Sequence, residues 1–121
     1  MKFLLDAHVS PHVGRAFAEL GGKAKVVHMR DWHSGNYVAQ HGQSDLPWLR
    51  VAGSERWIIV TNDRNTLLGE LRALSREGVA LPGFAVVASE HQADVGWIAR
   101  QLLKLEKEFL RTEPANVQVF L

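Results

Sequence analysis

Three short, uninterrupted apolar runs constrain the fold of this chain more than any other feature of its sequence. They are Phe3-Leu4-Leu5, Trp57-Ile58-Ile59-Val60 and Phe84-Ala85-Val86-Val87. A strand with one face in water alternates apolar and polar residues, whereas an unbroken run is typical of a strand buried on both faces. Such strands occur in parallel sheets that are covered by helices on both sides. The runs therefore predict an α/β protein.

Helical patterns alternate with these strands along the chain. The first helix is predicted to start at Ser10-Pro11, because Ser caps a helix and Pro is tolerated in the first turn. The predicted strands span residues 2–5, 25–29, 57–61, 84–88 and 116–120, and the predicted helices span residues 10–20, 44–52, 65–76 and 92–110. Residues 30–43 show no clear period and predict a loop. This order predicts a three-layer α/β/α sandwich with a mostly parallel central sheet of four or five strands.

The length and composition fit one domain over residues 1–121. The chain has no cysteine, which excludes disulfides, zinc–thiolate sites and thiol nucleophiles. No apolar run approaches the length of a membrane-spanning helix, so we expect a cytoplasmic protein without a membrane partner. The net charge of +1 neither requires nor excludes a nucleic-acid partner.

Acidic residues stand where predicted strands end or helices begin. Asp6 follows the first strand, Asp63 follows the third, and Asp45 lies in the first turn of a helix. Each alone is also explained as a helix cap, as a partner of the backbone amides of a turn, or as a favourable charge near a helix N-terminus. Parallel strands bring their carboxyl ends to one edge, and carboxylates held together there repel unless they share a cation or a proton. Oxygen ligands without cysteine favour Mg²⁺ or Mn²⁺.

Four further residues near these positions are candidate substrate contacts. His8 and Ser10 follow the first strand, and Arg64 and Asn65 follow the third. Arg64 can pair with a phosphate oxygen, or it can be a solvated residue in the first turn of a helix. The six histidines lack the spacing of a zinc motif, and we interpret His28, inside a strand, as a hydrogen-bonded core or edge residue.

Two other features are candidate RNA contacts with alternative explanations. Trp32 and Tyr37, in the predicted loop, can stack on unpaired bases, pin the loop to the core or bind a peptide of a partner protein. The helix over 92–110 carries basic residues opposite its apolar stripe, which fits either a solvated face or a surface that follows phosphates. These basic residues are Arg100, Lys104, Lys107 and Arg111.

The segments "MKFLLDAHVSP", "VVHMRD", "SDLPWLRVA" and "WIIVTNDRN" resemble, in order and spacing, the PIN-like domains. These include the VapC-type toxin ribonucleases of toxin–antitoxin modules and a short bacterial PIN-like family that opens with a Leu-Leu-Asp strand. The resemblance implies an Mg²⁺- or Mn²⁺-dependent ribonuclease on an α/β/α fold. Its catalytic and metal-binding residues would be Asp6, Asp45 and Asp63. It also implies RNA as substrate and an antitoxin protein as a partner.

The sequence departs from that family at two places. The family commonly has Asp-Glu-Asn-Leu-Ser after the first strand, where this chain has Asp6-Ala7-His8-Val9-Ser10. It also has a second acid and a Phe where this chain has Asn65 and Thr66. Fewer carboxylates hold a second cation less strongly. The alternative is therefore a PIN-like module that recognises RNA or a protein and has a weakened catalytic site.

Two further hypotheses concern other functions and assembly. A receiver-like domain that accepts a phosphoryl group also gathers aspartates at strand ends. Such domains usually pair two acids after the first strand and place a lysine near the last one, whereas this chain has Asp6 alone and no lysine directly after "FAVVASE". A homodimer is a plausible assembly, because small α/β proteins often pair through apolar helices.

Overall fold

The computed structural model describes residues 1–32, 46–62, 64–78, 82–108 and 118–121, with the side chains of residues 46, 47, 64–68, 71 and 118 outside the description. The strands within these ranges are β1 (Lys2–Leu5), β2 (Lys25–His28), β3 (Ile58–Thr61), β4 (Gly83–Val86) and β5 (Gln118–Phe120). They form one parallel sheet in the order β2-β1-β3-β4-β5.

Helices cover both faces of this sheet. They are α1 (Val13–Glu19), α2 (Leu46–Ser54), α3 (Arg64–Arg76) and α4 (Val95–Glu108). Short 3₁₀ turns follow β2 at Met29–Asp31 and β4 at Ser89–His91. The predicted three-layer α/β/α sandwich with a parallel sheet is confirmed.

The apolar runs supply side chains to two separate cores, one on each face of the sheet. Along β3, Ile58 and Val60 belong to one core and Ile59 to the other, because successive residues of a strand point to opposite faces. The first core packs against α1 and α4 and includes Phe17 and Leu102. The absence of alternation in the sequence therefore has the predicted cause, which is burial on both faces.

The second core contains three tryptophans, and two of them share one carboxylate. Trp32 and Trp57 both donate their indole N–H to Oε1 of Glu55, over 3.1 and 2.9 Å. Trp32 packs edge-on against Trp48 and Trp57. Only 5% of the Trp32 surface is exposed, so this residue pins the segment after β2 to the core and is not a stacking platform for bases. Tyr37 lies outside the described residues.

Two helices begin later than predicted, and local hydrogen bonds explain both differences. The helix predicted from residue 92 begins at Val95, because Oδ1 of Asp94 accepts the Trp97 amide over 3.0 Å and so caps α4. The first helix begins at Val13, after a tight turn in which the Ser10 hydroxyl accepts the His12 amide over 3.2 Å. Among the strands, β1 has its predicted bounds, and the ends of β2, β3 and β4 lie within two residues of the predicted ones.

A buried carboxylate on α4 joins this helix to the segment that precedes β2. Glu106, only 8% exposed, accepts the Lys23 amide over 3.0 Å at Oε1, and the same oxygen accepts the Ala24 amide. Backbone amides need partners when they leave water, so Glu106 satisfies the turn between α1 and β2. Among the described helices, none is long and apolar enough to cross a membrane.

Candidate functional site

Asp6 stands directly after β1, and two hydrogen-bond donors hold its carboxylate. The backbone amide of Ala7 donates to Oδ1 over 2.7 Å, and the Thr61 hydroxyl donates to Oδ2 over 2.8 Å. The amide of Asp6 donates to the Val60 carbonyl over 2.9 Å and extends the β1–β3 pairing. The carboxylate therefore has a defined orientation, and each oxygen retains a lone pair for a further ligand.

The position of Asp6 in the sheet is the one at which parallel α/β folds bind ligands. The chain moves from β1 to β2 on one side and then returns to place β3 on the other side of β1. Strand order thus reverses between β1 and β3, and open α/β sheets bind ligands beyond the carboxyl ends of the strands at such a point. Asp6 follows β1 and Thr61 ends β3, so their hydrogen bond spans this reversal.

Thr61 is a site residue that sequence reasoning did not single out. It is 2% exposed, and its partner Asp6 is 55 residues away in the chain, so only the folded sheet joins the two. The available signal was its place at the end of an apolar run, two residues before Asp63. Residues that form hydrogen bonds with a metal-binding carboxylate fix its orientation. The Thr61 hydroxyl can have this role for Asp6.

Replacing Thr61 with valine is expected to weaken Mn²⁺ binding by about 10-fold, since partners of metal ligands typically contribute affinity of this order. Valine keeps the shape and burial of the side chain but cannot donate to Asp6. Isothermal titration of Mn²⁺ into each variant measures the effect. Thr61→Ser, which retains the hydroxyl, is the matched control and should bind close to the wild type. Equal affinities for the valine variant and the wild type would contradict this role.

His8 and Ser10 line a cleft of about 510 Å³ beside the turn that follows Asp6. His8 is exposed, and the Ser10 hydroxyl, which accepts from the His12 amide, retains its own hydrogen for donation. The opposite side of this cleft is formed by residues after β4, including Glu90. Both predicted substrate contacts therefore border open space next to the candidate site.

Glu90 is a second residue that the sequence analysis did not propose. Its carboxylate is exposed and lies 3.7 Å from Nε2 of His91. It adds an acidic group to the cleft that His8 and Ser10 line. In the sequence, Glu90 is an acidic residue shortly after the last of the three apolar runs. The order of strands in the sheet is needed to show that this position lies near the end of the first strand.

The side chains of the other predicted site residues lie outside the part of the chain that the structure describes. Asp45 and Asp63 lie outside the described residues, and Arg64 and Asn65 begin α3 with side chains outside the description. Their roles remain predictions. Asn62, just after β3, lines a neighbouring cleft of about 340 Å³ beside the ends of β4 and β5.

At the carboxyl ends of β1 and β3, the described residues supply one oriented carboxylate, Asp6, and no complete metal site. Among them, no three His, Asp or Glu side chains converge as a set that could hold a metal ion. Asp6 alone offers an oxygen ligand of the kind that Mg²⁺ and Mn²⁺ prefer. Any further protein ligand beside it would have to come from positions such as Asp45 and Asp63.

His28 closes the turn after Asp6 from the side of β2. Its Nε2 lies 2.8 Å from the Val9 carbonyl, and its Nδ1 accepts the Arg30 amide over 3.2 Å. The expectation that His28 is a hydrogen-bonded residue of the strand is confirmed. With both ring nitrogens engaged, His28 has no lone pair left for a metal ion.

Comparison with known proteins gives one family. A family model described as a PIN like domain matches residues 1–81, which include β1 to α3 and all three predicted acidic positions. No curated protein and no solved structure matches the chain. The match covers well over half of the 121 residues, and it agrees with the parallel sheet and with an aspartate at the end of β1. The chain belongs to the PIN-like domain family.

Proposed function

We propose that this chain is a ribonuclease that depends on Mg²⁺ or Mn²⁺, built as a single PIN-like domain over residues 1–121. The observation that carries the proposal is the Asp6 carboxylate, which Thr61 and the Ala7 amide orient at the point where strand order reverses. Asp6 does not cap α1, which begins only at Val13, and its carboxylate accepts the Ala7 amide at one oxygen and the Thr61 hydroxyl at the other. An oriented carboxylate at the reversal of strand order in a PIN-like domain fits a metal ligand.

Asp6, Asp45 and Asp63 would hold the cation and form the catalytic site. The chemistry that the cation would supply there is polarisation of the phosphodiester and a lower pKa for an attacking water. Thr61 keeps the Asp6 carboxylate in one orientation, so that no reorganisation is needed when the cation binds. His8, Ser10, Arg64 and Asn65 would contact the RNA strand, with the guanidinium of Arg64 suited to a phosphate oxygen.

RNA as the substrate is supported by the family and by exposed basic residues. Arg100, Lys104 and Lys107 are exposed on α4, whereas Ile98 and Leu102 on its other face are buried. An exposed basic helix face attracts a phosphate backbone at low salt. The fourth predicted basic residue, Arg111, lies outside the described residues.

The direct test is cleavage of RNA by the purified protein. A pool of fluorescently labelled single-stranded and hairpin RNAs would be incubated with Mg²⁺, with Mn²⁺ and with EDTA. We expect cleavage with either ion and none with EDTA, and the cleavage should disappear in Asp63→Asn. Cleavage that persists in EDTA, or that survives in Asp63→Asn, would point to a contaminating nuclease and would count against the proposal.

A second function is favoured by one specific observation, the amide at Asn65 where the family commonly has an acid. A site with less negative charge holds a second cation less strongly, so the domain would recognise RNA or a protein without cutting. The same experiment separates the two functions. RNA retarded on a native gel, with Mn²⁺ bound and no cleavage of any substrate, would favour the binding module.

The finer assignment is the toxin component of a toxin–antitoxin module, acting in the cytoplasm and inhibited by an antitoxin protein. It rests on the family alone, and a homodimer is part of the same proposal. Two large apolar side chains, Leu20 and Phe120, are exposed, and Phe120 also packs edge-on against Phe84. Induced expression of the wild type should arrest growth of a bacterial host, whereas equal expression of Asp63→Asn should not.

A further inference from the structure

His28 is the last residue of β2, and it lies beside both the end of β1 and the turn that follows Asp6. The parallel register pairs it with Leu5, the residue that precedes Asp6. The side chain is 9% exposed and points to the turn that follows Asp6, where it meets the Val9 carbonyl. A buried polar side chain with long-range partners fixes the relative position of the segments that it joins.

The two hydrogen bonds of His28 indicate which of its ring nitrogens carries the hydrogen. The Arg30 amide can only donate, so Nδ1 must present a lone pair to it, over 3.2 Å. The Val9 carbonyl can only accept, so Nε2 must carry the hydrogen that bridges the 2.8 Å gap. The neutral ring protonated at Nε2 is the one form that satisfies both partners. In this form His28 has no free lone pair, so it acts without binding metal or substrate.

Val9 connects His28 to Asp6 through two hydrogen bonds of its backbone. Its amide donates to the Asp6 carbonyl over 2.9 Å and closes the turn over residues 6–9, while its own side chain is buried in the first core. The near end of this turn is fixed by the Asp6 amide, which donates to Val60 over 2.9 Å. The far end is fixed by His28. Turns held at both ends keep the side chain that they carry in one orientation.

We propose that His28 is a positioning residue for Asp6. Through the Val9 carbonyl it holds the turn that presents the Asp6 carboxylate, while Thr61 holds the carboxylate itself. This proposal rests on the proposed function, because its consequence for activity is a cation site that is already formed before the cation binds. The role differs from that of an ordinary core residue, since it depends on one donor, Nε2–H, rather than on the volume of the ring.

Two substitutions separate the two hydrogen bonds of His28. His28→Gln can place an amide nitrogen near Nε2 and keep the donor to Val9, but it gives up the acceptor for Arg30. His28→Asn can place an amide oxygen near Nδ1 and keep the acceptor for Arg30, but it is too short to reach Val9. Each variant loses about one hydrogen bond and part of the ring, so their thermal stabilities should be similar.

The expected result is a difference in Mn²⁺ affinity that stability does not explain. By isothermal titration, His28→Asn should bind Mn²⁺ about 10-fold more weakly than the wild type, and His28→Gln within about 3-fold of it. Equal affinities for both variants and the wild type would overturn the proposal. So would equal losses in the two variants, or failure of His28→Asn to fold, since either would mean that His28 serves the fold alone.

A second measurement tests the coupling without any metal. Amide hydrogen exchange followed by NMR should show faster exchange of the Val9 and Ala7 amides in His28→Asn, and rates near the wild type in His28→Gln. If the wild type binds no Mn²⁺, the proposed function fails, and these exchange rates still decide the role of His28. Unchanged exchange of both amides in His28→Asn would overturn that role.

Discussion

Replacing Asp6 with asparagine is expected to weaken Mn²⁺ binding by at least about 100-fold and to remove RNA cleavage, with the fold preserved. Asparagine has the same shape and can still accept the Ala7 amide hydrogen, and its amide group can donate to the oxygen of Thr61. What disappears is the negative charge that a hard divalent cation requires of its ligand. The effect therefore falls on the site, because the local hydrogen bonds that shape the turn remain.

The matched control for this prediction is Glu19→Gln. Glu19 ends α1 with an exposed side chain, and it forms an i,i+4 ion pair with Arg15 over 3.4 Å. The substitution makes the same chemical change, from carboxylate to amide, away from the carboxyl edge of the sheet. Titration calorimetry and RNA cleavage should be unaffected in this control. An Asp6→Asn variant that binds Mn²⁺ as tightly as the wild type would remove the basis of the proposed function.

Replacing Glu106 with alanine is expected to lower the free energy of unfolding by about 2 kcal/mol. The carboxylate accepts the amides of Lys23 and Ala24 in a buried position, and its removal leaves these donors without a protein acceptor. Alanine favours the helix over glutamate by only about a few tenths of a kcal/mol, so it offsets little of the loss. At about 4 °C per kcal/mol for a domain of this size, the melting temperature should fall by about 8 °C.

Thermal and urea unfolding followed by circular dichroism measure this effect, and Glu106→Gln is the control. Glutamine keeps the Oε1 atom that accepts both amides and loses only the charge, so its destabilisation should be about half that of alanine. Mn²⁺ affinity should be unchanged in both variants, because Glu106 lies on α4 and contacts the segment before β2. An alanine variant as stable as the wild type would show that water replaces the carboxylate at no cost.

The described strands were predictable because their signal is local. An unbroken apolar run such as Ile58-Ile59-Val60 reports burial on both faces, and burial on both faces follows from a parallel sheet in any strand order. Helix starts were less predictable, since a cap depends on which of several polar residues turns back to the first amides. At α4, Asp94 takes this role and moves the start to Val95.

The acidic residue of the candidate site could be predicted from the sequence, whereas the residues that form hydrogen bonds with it and with its turn could not. Asp6 is visible in the sequence because an acid directly after a buried strand is unusual and has a chemical meaning. Thr61 and His28 are ordinary polar residues of strands, and their importance arises from partners that lie 55 and 19 residues away in the chain. The sequence leaves the role of Trp32 open for the same reason. Its burial and its hydrogen bond to Glu55 identify it as a core residue.

The α/β class, the parallel character of the sheet and the charged residue at the end of β1 can all be predicted from the amino-acid sequence. These properties depend on hydrophobic period and on residue type, which are local. The tertiary structure alone decided that β1 and β3 are neighbours, that Thr61 orients Asp6 and that His28 closes the turn behind it. A hydrogen bond between distant residues exists only once the core has formed, because burial of the apolar runs brings its donor and its acceptor together.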